Sequence, residues 1–305
     1  GTPDEPSGGG RQMPVHFGCR NLKIINRGSC TGTQYLHAVG AAEAGRYLEQ
    51  LRGEGVTNLP ESHPEEVVVC TTGDGATSEG EWWEAMNTAT NLKLPVIFLV
   101  EDNGYAISVP REVGTSGDSI SRLFGNFPNL LNLEVDGCDP VASLDAAKKA
   151  LAWCRAGNGP VLLHAHVTRL YSHSMSDDES AYRAKSELDF SLGRCPIDTF
   201  RERLIAAKMV KSDEFERIEA EVVEEIKRAQ KAAEASPPQD PESIFDQIYS
   251  PDNDGCGDEY ECAAQPTGSP KGMADLINAT LHEEMARDPL MVVFGEDVAD
   301  MSRAE

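Results

Sequence analysis

The sequence predicts an α/β protein: a parallel sheet with helices on both faces, followed by a helical segment, a linker and the start of a second α/β domain. Three observations carry that expectation. Short apolar, β-branched runs recur at 67–72, 96–100, 132–135 and 161–167. Stretches with apolar residues at helical spacing separate them, and strands alternating with helices give a parallel sheet covered on both sides. The first run ends in Gly73-Asp74-Gly75, after which the residues turn helical instead of returning as a hairpin strand.

Residues 1–33 are rich in glycine, proline and polar side chains and read as loop. From Gln34 to Arg52, small and apolar residues (Leu36, Val39, Gly40, Ala44, Leu48, Leu51) recur at helical spacing and predict a close-packed helix. Glu79–Leu92 reads as the helix after the first strand, beginning near Ser78, and 141–154 as the helix before the fourth. Beyond Asp198 the character changes. Residues 198–209 and 212–234 read as helices, the second laced with Glu, Lys and Arg at i,i+4 spacing. Residues 236–270 hold much Pro, Gly, Asp and Ser and read as a linker. Ala274–Met285 reads as a helix and Met291–Gly295 as a further strand. The expected division is therefore 1–197, a helical extension over 198–235, the linker, and an incomplete second domain over 271–305.

Composition narrows the partners. The 305 residues carry 27 basic and 51 acidic side chains, a formal net charge of −24, so the overall field repels nucleic acid and anionic membranes. Leu94–Val100, the longest apolar run, falls far short of the roughly 20 residues of a membrane span. Hydrophobic residues make up 40%, enough for a sizeable core. The eight cysteines (19, 30, 70, 138, 154, 195, 256 and 262) are scattered without a CxxC pair, which reads as reduced thiols in a cytoplasmic enzyme. The chain opens on Gly1 without a leader and stops after a strand-like run, so both ends read as cut.

The chemistry concentrates at two turns. Consecutive strands of a right-handed crossover commonly lie side by side, so Asp74 and Asn103 would project from neighbouring carboxyl edges, where open α/β sheets bind ligands. One carboxylate and one amide oxygen suit Mg²⁺, which keeps coordination sites for phosphate and water. The flanking glycines allow close approach of a diphosphate, and the N–H groups of the following helix point the same way. Gly-Asp-Gly alone is an ordinary tight turn; its pairing with Asn103-Gly104-Tyr105 separates it from one.

These residues resemble a known family. Gly73-Asp74-Gly75-Ala76-Thr77-Ser78-Glu79-Gly80, followed by 102–108 (Asp-Asn-Gly-Tyr-Ala-Ile-Ser), is similar to the thiamine-diphosphate signature, and so to the thiamine-diphosphate-binding fold. More narrowly, the chain resembles the decarboxylating first component of 2-oxo acid dehydrogenase complexes. Gly10–His16 resembles the alpha part of the branched-chain members, and Ser172–Asp178 with Ala181-Tyr182-Arg183 resembles their active-site loop. Val293–Val298 resembles the opening of the beta part, so the resemblance implies a fused alpha–beta chain with a pyrimidine-binding second domain.

The resemblance implies roles. Asp74 and Asn103 would bind Mg²⁺ through side chains and Tyr105 through its backbone carbonyl. Gly73, Gly75 and Ala76 would line the cofactor, with Ser29 close by. Arg169 would meet the diphosphate, and His173 would face the reacting centre, holding the substrate carboxylate or moving a proton. Thr33 and Gln34 match positions that hold a structural K⁺ in relatives, and Ser174 one that is phosphorylated in some. The implied reaction is oxidative decarboxylation of a 2-oxo acid, branched-chain in preference to pyruvate, with acyl transfer to a lipoyl-bearing dihydrolipoamide acyltransferase. The implied assembly is a homodimer of fused chains. The glutamate that activates the pyrimidine ring would lie beyond Glu305, leaving this stretch inactive alone. A non-catalytic scaffold of the same fold is the competing class.

Some positions depart from the family pattern. Glu101 and Asp102 stand where many relatives have an Arg before Asn-Asn-Gly-Tyr, Thr31 replaces a larger apolar residue, and Ser172 replaces a second histidine. His164 and His166 share one side of their strand. His-x-His can be a zinc pair, but without an evident third ligand they read as packing or hydrogen-bonding residues. Trp82 and Trp83 read as packing groups on their helix.

Overall fold

The computed structural model describes the chain except residues 1, 6, 14, 15, 27, 247, 250–267, 296, 297 and 299–305. Two compact units emerge, one from residues 1–49 and 61–239 and one from 50–60 and 240–305.

The first unit is built on four parallel strands: β1 (Val68–Gly73), β2 (Val96–Asp102), β5 (Leu131–Asp136) and β6 (Val161–His166), in the order β1-β2-β6-β5. A two-residue antiparallel pair, β3 (Tyr105–Ala106) and β4 (Val109–Pro110), stands beyond the end of β2. The helices are α1 (Thr33–Gly53), α2 (Gly80–Leu92), α3 (Arg111–Gly114), α4 (Ile120–Leu123), α5 (Pro140–Arg155), α6 (Lys185–Gly193), α7 (Pro196–Ala206) and α8 (Ser212–Ala235).

Alternation along β2 divides the core in two. Val96, Phe98 and Val100 face a cluster with Tyr35, Ala38, Val39 and Ala42 of α1, Trp82, Ala85, Met86 and Ala89 of α2, and Ile120 and Phe124. Ile97 faces the other side, with Ala150 and Cys154 of α5 and Val161 and Leu163 of β6. A strand apolar at consecutive positions is what burial on both faces requires. Trp82 is the hub of the larger cluster, fully buried, with edge-on contacts to Tyr35, Phe98 and Phe124 at centroid distances of 5.1, 5.5 and 5.7 Å. Trp83 is half-exposed and lies against Phe124. Both pack, as their helix predicts.

The helix after β1 agrees with the Glu79–Leu92 reading, with Glu79 as its N-cap, but Ser78 belongs to a separate turn. A 3₁₀ turn over Gly75–Ser78 intervenes, and α2 starts at Gly80. The cause is local: the Thr77 hydroxyl and N–H both close onto the Asp74 carbonyl, tightening the chain before α-helical bonding begins. Helix α6 carries too few apolar residues to show in the sequence pattern. Among residues 1–33 a short 3₁₀ turn (Arg20–Leu22) sits under a Cys19–Ile24 bridge.

The second unit contains a 3₁₀ turn over Pro241–Phe245 and α9 (Met273–Arg287). Met291–Gly295, expected as a strand, is not one. A strand exists only with a ladder partner, and none stands among the described residues of this unit; Val292, Val293 and Phe294 remain exposed. Glu296 and Asp297 of the beta-like motif, Pro14 and Val15 of the N-terminal motif, and Cys256 and Cys262 lie outside the described residues. The other six cysteines are free thiols. Among the described residues no helix is long and apolar enough to cross a membrane.

Replacing Trp82 by Ala is expected to cost about 3–5 kcal/mol in urea unfolding, because the cavity opens where four rings meet. Asp139 caps α5 by accepting the N–H groups of Val141 and Ala142, which hold its pKa below the ordinary carboxylate value. A carboxyl depressed in the fold stabilises above its unfolded pKa and loses that contribution as pH falls through its folded one. The stability gap between the parent and Asp139→Ala is therefore expected at neutral pH and should close in acid.

Candidate functional site at the carboxyl edge of the sheet

The register pairs Gly73 of β1 with Glu101 of β2, so Asp74 and the Asp102–Asn103 pair leave the sheet side by side. β1 and β2 are thus parallel neighbours, as the sequence predicts. Asp74 is 2% exposed, and its Oδ1 is buried with no hydrogen-bond partner. Burial raises its pKa, and the neighbouring Asp102 carboxylate raises it further, against backbone N–H groups of Asp74 and Asn103. An unpartnered carboxylate oxygen costs free energy unless a cation meets it.

The backbone around Asp74 is shaped for close approach. A Cβ on Gly75 would stand 2.4 Å from the Cβ of Ala106, so only glycine lets the 3₁₀ turn and the β3–β4 pair meet. A Cβ on Gly73 would meet nothing within 4 Å, so that side of the turn is open. Ala76 packs partly buried on the core cluster. Half-buried Asn103 accepts the Tyr105 N–H on its Oδ1 at 3.1 Å and keeps its other lone pair. Gly104 takes φ +83°, a conformation L side chains rarely adopt. Oxygen donors of this kind suit a hard cation.

A cationic layer lies against the same turn. The Arg169 guanidinium stands 5.7 Å from the Tyr105 ring centroid and 5.8 Å from that of Tyr182. It donates to the Ile107 carbonyl at 2.8 Å and the Tyr182 hydroxyl at 2.7 Å, while its Nε is buried without a partner. Beside it Arg183, 6% exposed, donates to Glu179, Glu187 and Ser191. The Tyr105 hydroxyl also donates to Glu187, at 3.1 Å. Helix α6 thus pins the segment after β6 to the turn after β2.

The structure brings Gly73, Asp74, Gly75, Ala76, Asn103, Tyr105 and Arg169 to one edge. It does not join Ser29 or His173 to them by hydrogen bond or ring contact. Ser29 is exposed, its hydroxyl 3.9 Å from Met13 Sδ. His173 sits on an exposed loop where its N–H donates to Asp177 at 2.8 Å. Thr33 closes onto the Cys30 carbonyl and Gln34 onto that of Thr71. His164 hydrogen-bonds and packs, as its strand position suggests, and the structure supplies the third group the sequence lacks: donor atoms of Asp102, His164 and His166 lie within 4.8 Å of one another. The sequence assigned no site role to Arg111, Glu179 or Glu187, and Arg183 entered only through the active-site-loop resemblance. The i,i+4 spacing of Glu179, Arg183 and Glu187 was a readable signal for three of them.

A model of the family described as "Dehydrogenase E1 component" matches residues 2–242. The chain belongs to that family. It is 35% identical over 248 residues to the 2-oxoisovalerate dehydrogenase subunit alpha of Bacillus subtilis, covering 81% of this chain and 70% of that one. It is 33% identical over 243 residues to the human mitochondrial 2-oxoisovalerate dehydrogenase subunit alpha, covering 79% and 51%. A Dictyostelium discoideum mitochondrial pyruvate dehydrogenase E1 component subunit alpha is 36% identical over 185 residues, covering 60% and 48%. The chain thus spans about half the length of the mitochondrial relatives. Membership implies thiamine diphosphate as cofactor. The residues present fit such a group: an orphaned buried carboxylate oxygen, an amide oxygen beside it, and a glycine turn with open space.

Asp74→Asn removes a buried charge that lacks a full set of partners. The cofactor-free variant is expected to unfold at the parent's temperature or above it. A loss of more than about 1 kcal/mol would show that the carboxylate is already satisfied within the protein.

Proposed function

We propose that this protein is the thiamine-diphosphate-dependent decarboxylating component of a branched-chain 2-oxo acid dehydrogenase complex, and that the first unit forms its diphosphate- and metal-binding half. The observation that carries the reading is the unpartnered Oδ1 of Asp74, buried at the carboxyl edge beside Asn103. In this reading Asp74 and Asn103 hold Mg²⁺ through side chains and Tyr105 holds it through its carbonyl. Gly73, Gly75, Ala76 and Ser29 line the cofactor, and Thr33 and Gln34 are the residues for K⁺.

Bound there, thiamine diphosphate supplies the electron sink for cleaving the carboxylate from the 2-oxo acid. The chain's own residues bind and orient. Arg169, carried by its two tyrosines, meets the diphosphate as a planar cation. Gly75 keeps the turn close to β3. His173, exposed on the loop that Asp177 closes, receives the substrate carboxylate or moves a proton. A scaffold of the same fold has no use for a buried carboxylate poised for a cation. The acyl acceptor in this reading is the lipoyl group of an acyltransferase core, the assembly a homodimer of fused chains, and the setting the reducing cytoplasm, which six free thiols support.

Relatives named for 2-oxoisovalerate match across about four-fifths of the chain, whereas the pyruvate relative matches over 60%, which supports the branched-chain substrate. In dye-coupled decarboxylation with Mg²⁺ and thiamine diphosphate, the full-length protein is expected to favour 3-methyl-2-oxobutanoate over pyruvate at least tenfold in kcat/KM, about 1.4 kcal/mol. Asp74→Asn should abolish both turnover and the thermal shift given by Mg²⁺ with thiamine diphosphate. A preference for pyruvate overturns the substrate, and an absent shift in the parent overturns the cofactor site.

A further inference from the structure

Behind the carboxyl edge runs a buried polar chain that no cofactor contact explains. Asp102, 2% exposed, accepts the Gly104 N–H on Oδ1 at 2.9 Å. Its Oδ2 accepts from Arg111 Nη1 at 2.6 Å and from His164 Nε2 at 2.7 Å. His164 is fully buried, and its Nδ1 meets the Ser121 hydroxyl at 2.7 Å. Ser121 is itself fixed, its carbonyl accepting from Asn132 at 2.7 Å. Arg111 grips the same turn from the far side: its N–H donates to the Gly104 carbonyl at 2.9 Å, and its Nε donates to Asp118 at 2.8 Å.

Gly104 is thus held at both its N–H and its carbonyl, in a left-handed conformation between Asn103 and Tyr105. A second metal at Asp102, His164 and His166 is the competing reading. Ligands of a tetrahedral zinc stand roughly 3.3 Å apart, whereas Asp102 Oδ2 and His164 Nε2 are at hydrogen-bond distance and Arg111 occupies the same oxygen. The geometry is that of a hydrogen-bond network. Buried ion pairs contribute little net stability against apolar replacements, so a network this deep beside the turn fits a role in presenting it.

We propose that Asp102 is a positioning residue of the cation site, holding the Asn103–Gly104–Tyr105 turn in its ligating form, and that His164 and Ser121 act through it. The proposal rests on the cofactor reading above.

The test is a Mg²⁺ titration of thiamine diphosphate binding to the full-length protein, read by tryptophan fluorescence, with the cofactor-free melting temperature measured in parallel. Asp102→Ala should raise the half-saturating Mg²⁺ concentration about tenfold or more. Asp102→Asn keeps an oxygen for the Gly104 N–H, while Arg111 keeps Asp118, so it should return to within about threefold of the parent. Ser121→Ala, which leaves the turn's own bonds in place, should raise it about two- to threefold at a near-parental melting temperature. The proposal is overturned if Asp102→Ala titrates like the parent, or if Asp102→Asn is as weak as Asp102→Ala. Should Asp102→Ala not fold, an unchanged Ser121→Ala titration overturns it. A parent with no Mg²⁺-dependent binding brings down the cofactor reading too, which sets that failure apart from the others.

Discussion

A carboxylate buried beside a second carboxylate, with one oxygen left without a partner, is the constraint around which this site is arranged. Among the described residues no hydrogen-bond partner meets Asp74 Oδ1, and the nearby Asp102 carboxylate disfavours its charge more than Arg111 relieves it. Such a group persists only where the surrounding fold holds it. Here the hold comes from the parallel pairing of β1 and β2, from the 3₁₀ turn closing onto the Asp74 carbonyl, and from the large apolar cluster around Trp82 beneath the sheet. The core stabilises the fold, and its edge carries the strain.

The polar groups around that carboxylate divide by side. One set is Asn103, the backbone of Tyr105 and the Arg169 layer, which in the proposed function meet the diphosphate and its cation. Towards the interior lie Asp102, His164, Ser121 and Arg111, whose bonds close on one another and on Gly104. The interior set neutralises itself; the outer set leaves Asp74 Oδ1 and Arg169 Nε unpartnered. That asymmetry separates a ligand site from an ordinary buried ion network. It also explains the glycines: Gly75 lets two backbones touch, and Gly104 takes a conformation other residues resist.

Helix α6 and the segment before it tie a second stretch of chain into the edge. Arg183 is held by Glu179, Glu187 and Ser191, and Glu187 reaches the Tyr105 hydroxyl. The stretch following β6 is therefore anchored on the turn following β2, while His173 lies on the exposed loop between the anchors. In the proposed function, this anchored arm with an exposed tip meets the substrate without moving the edge that carries Asp74.

The order of strands and helices was legible in the sequence because periodicity and strand length are local properties, and Asp74 and Asn103 were legible because a right-handed crossover leaves few alternatives for where their strands end. The family motifs named the same residues. The register, the interior network and the α6 anchor were not legible: Asp102, Ser121 and His164 lie far apart in the chain and share no spacing rule, so only the folded sheet brings them together. Met291–Gly295 shows the converse, a strand-like composition that forms no strand without an edge to pair with. The sequence alone determined which residues offer oxygen donors and glycines at the two turns, since side-chain type and turn propensity travel with the chain. The tertiary structure alone decided which oxygen is left unpartnered, because hydrogen-bond satisfaction is settled only when every neighbour is in place.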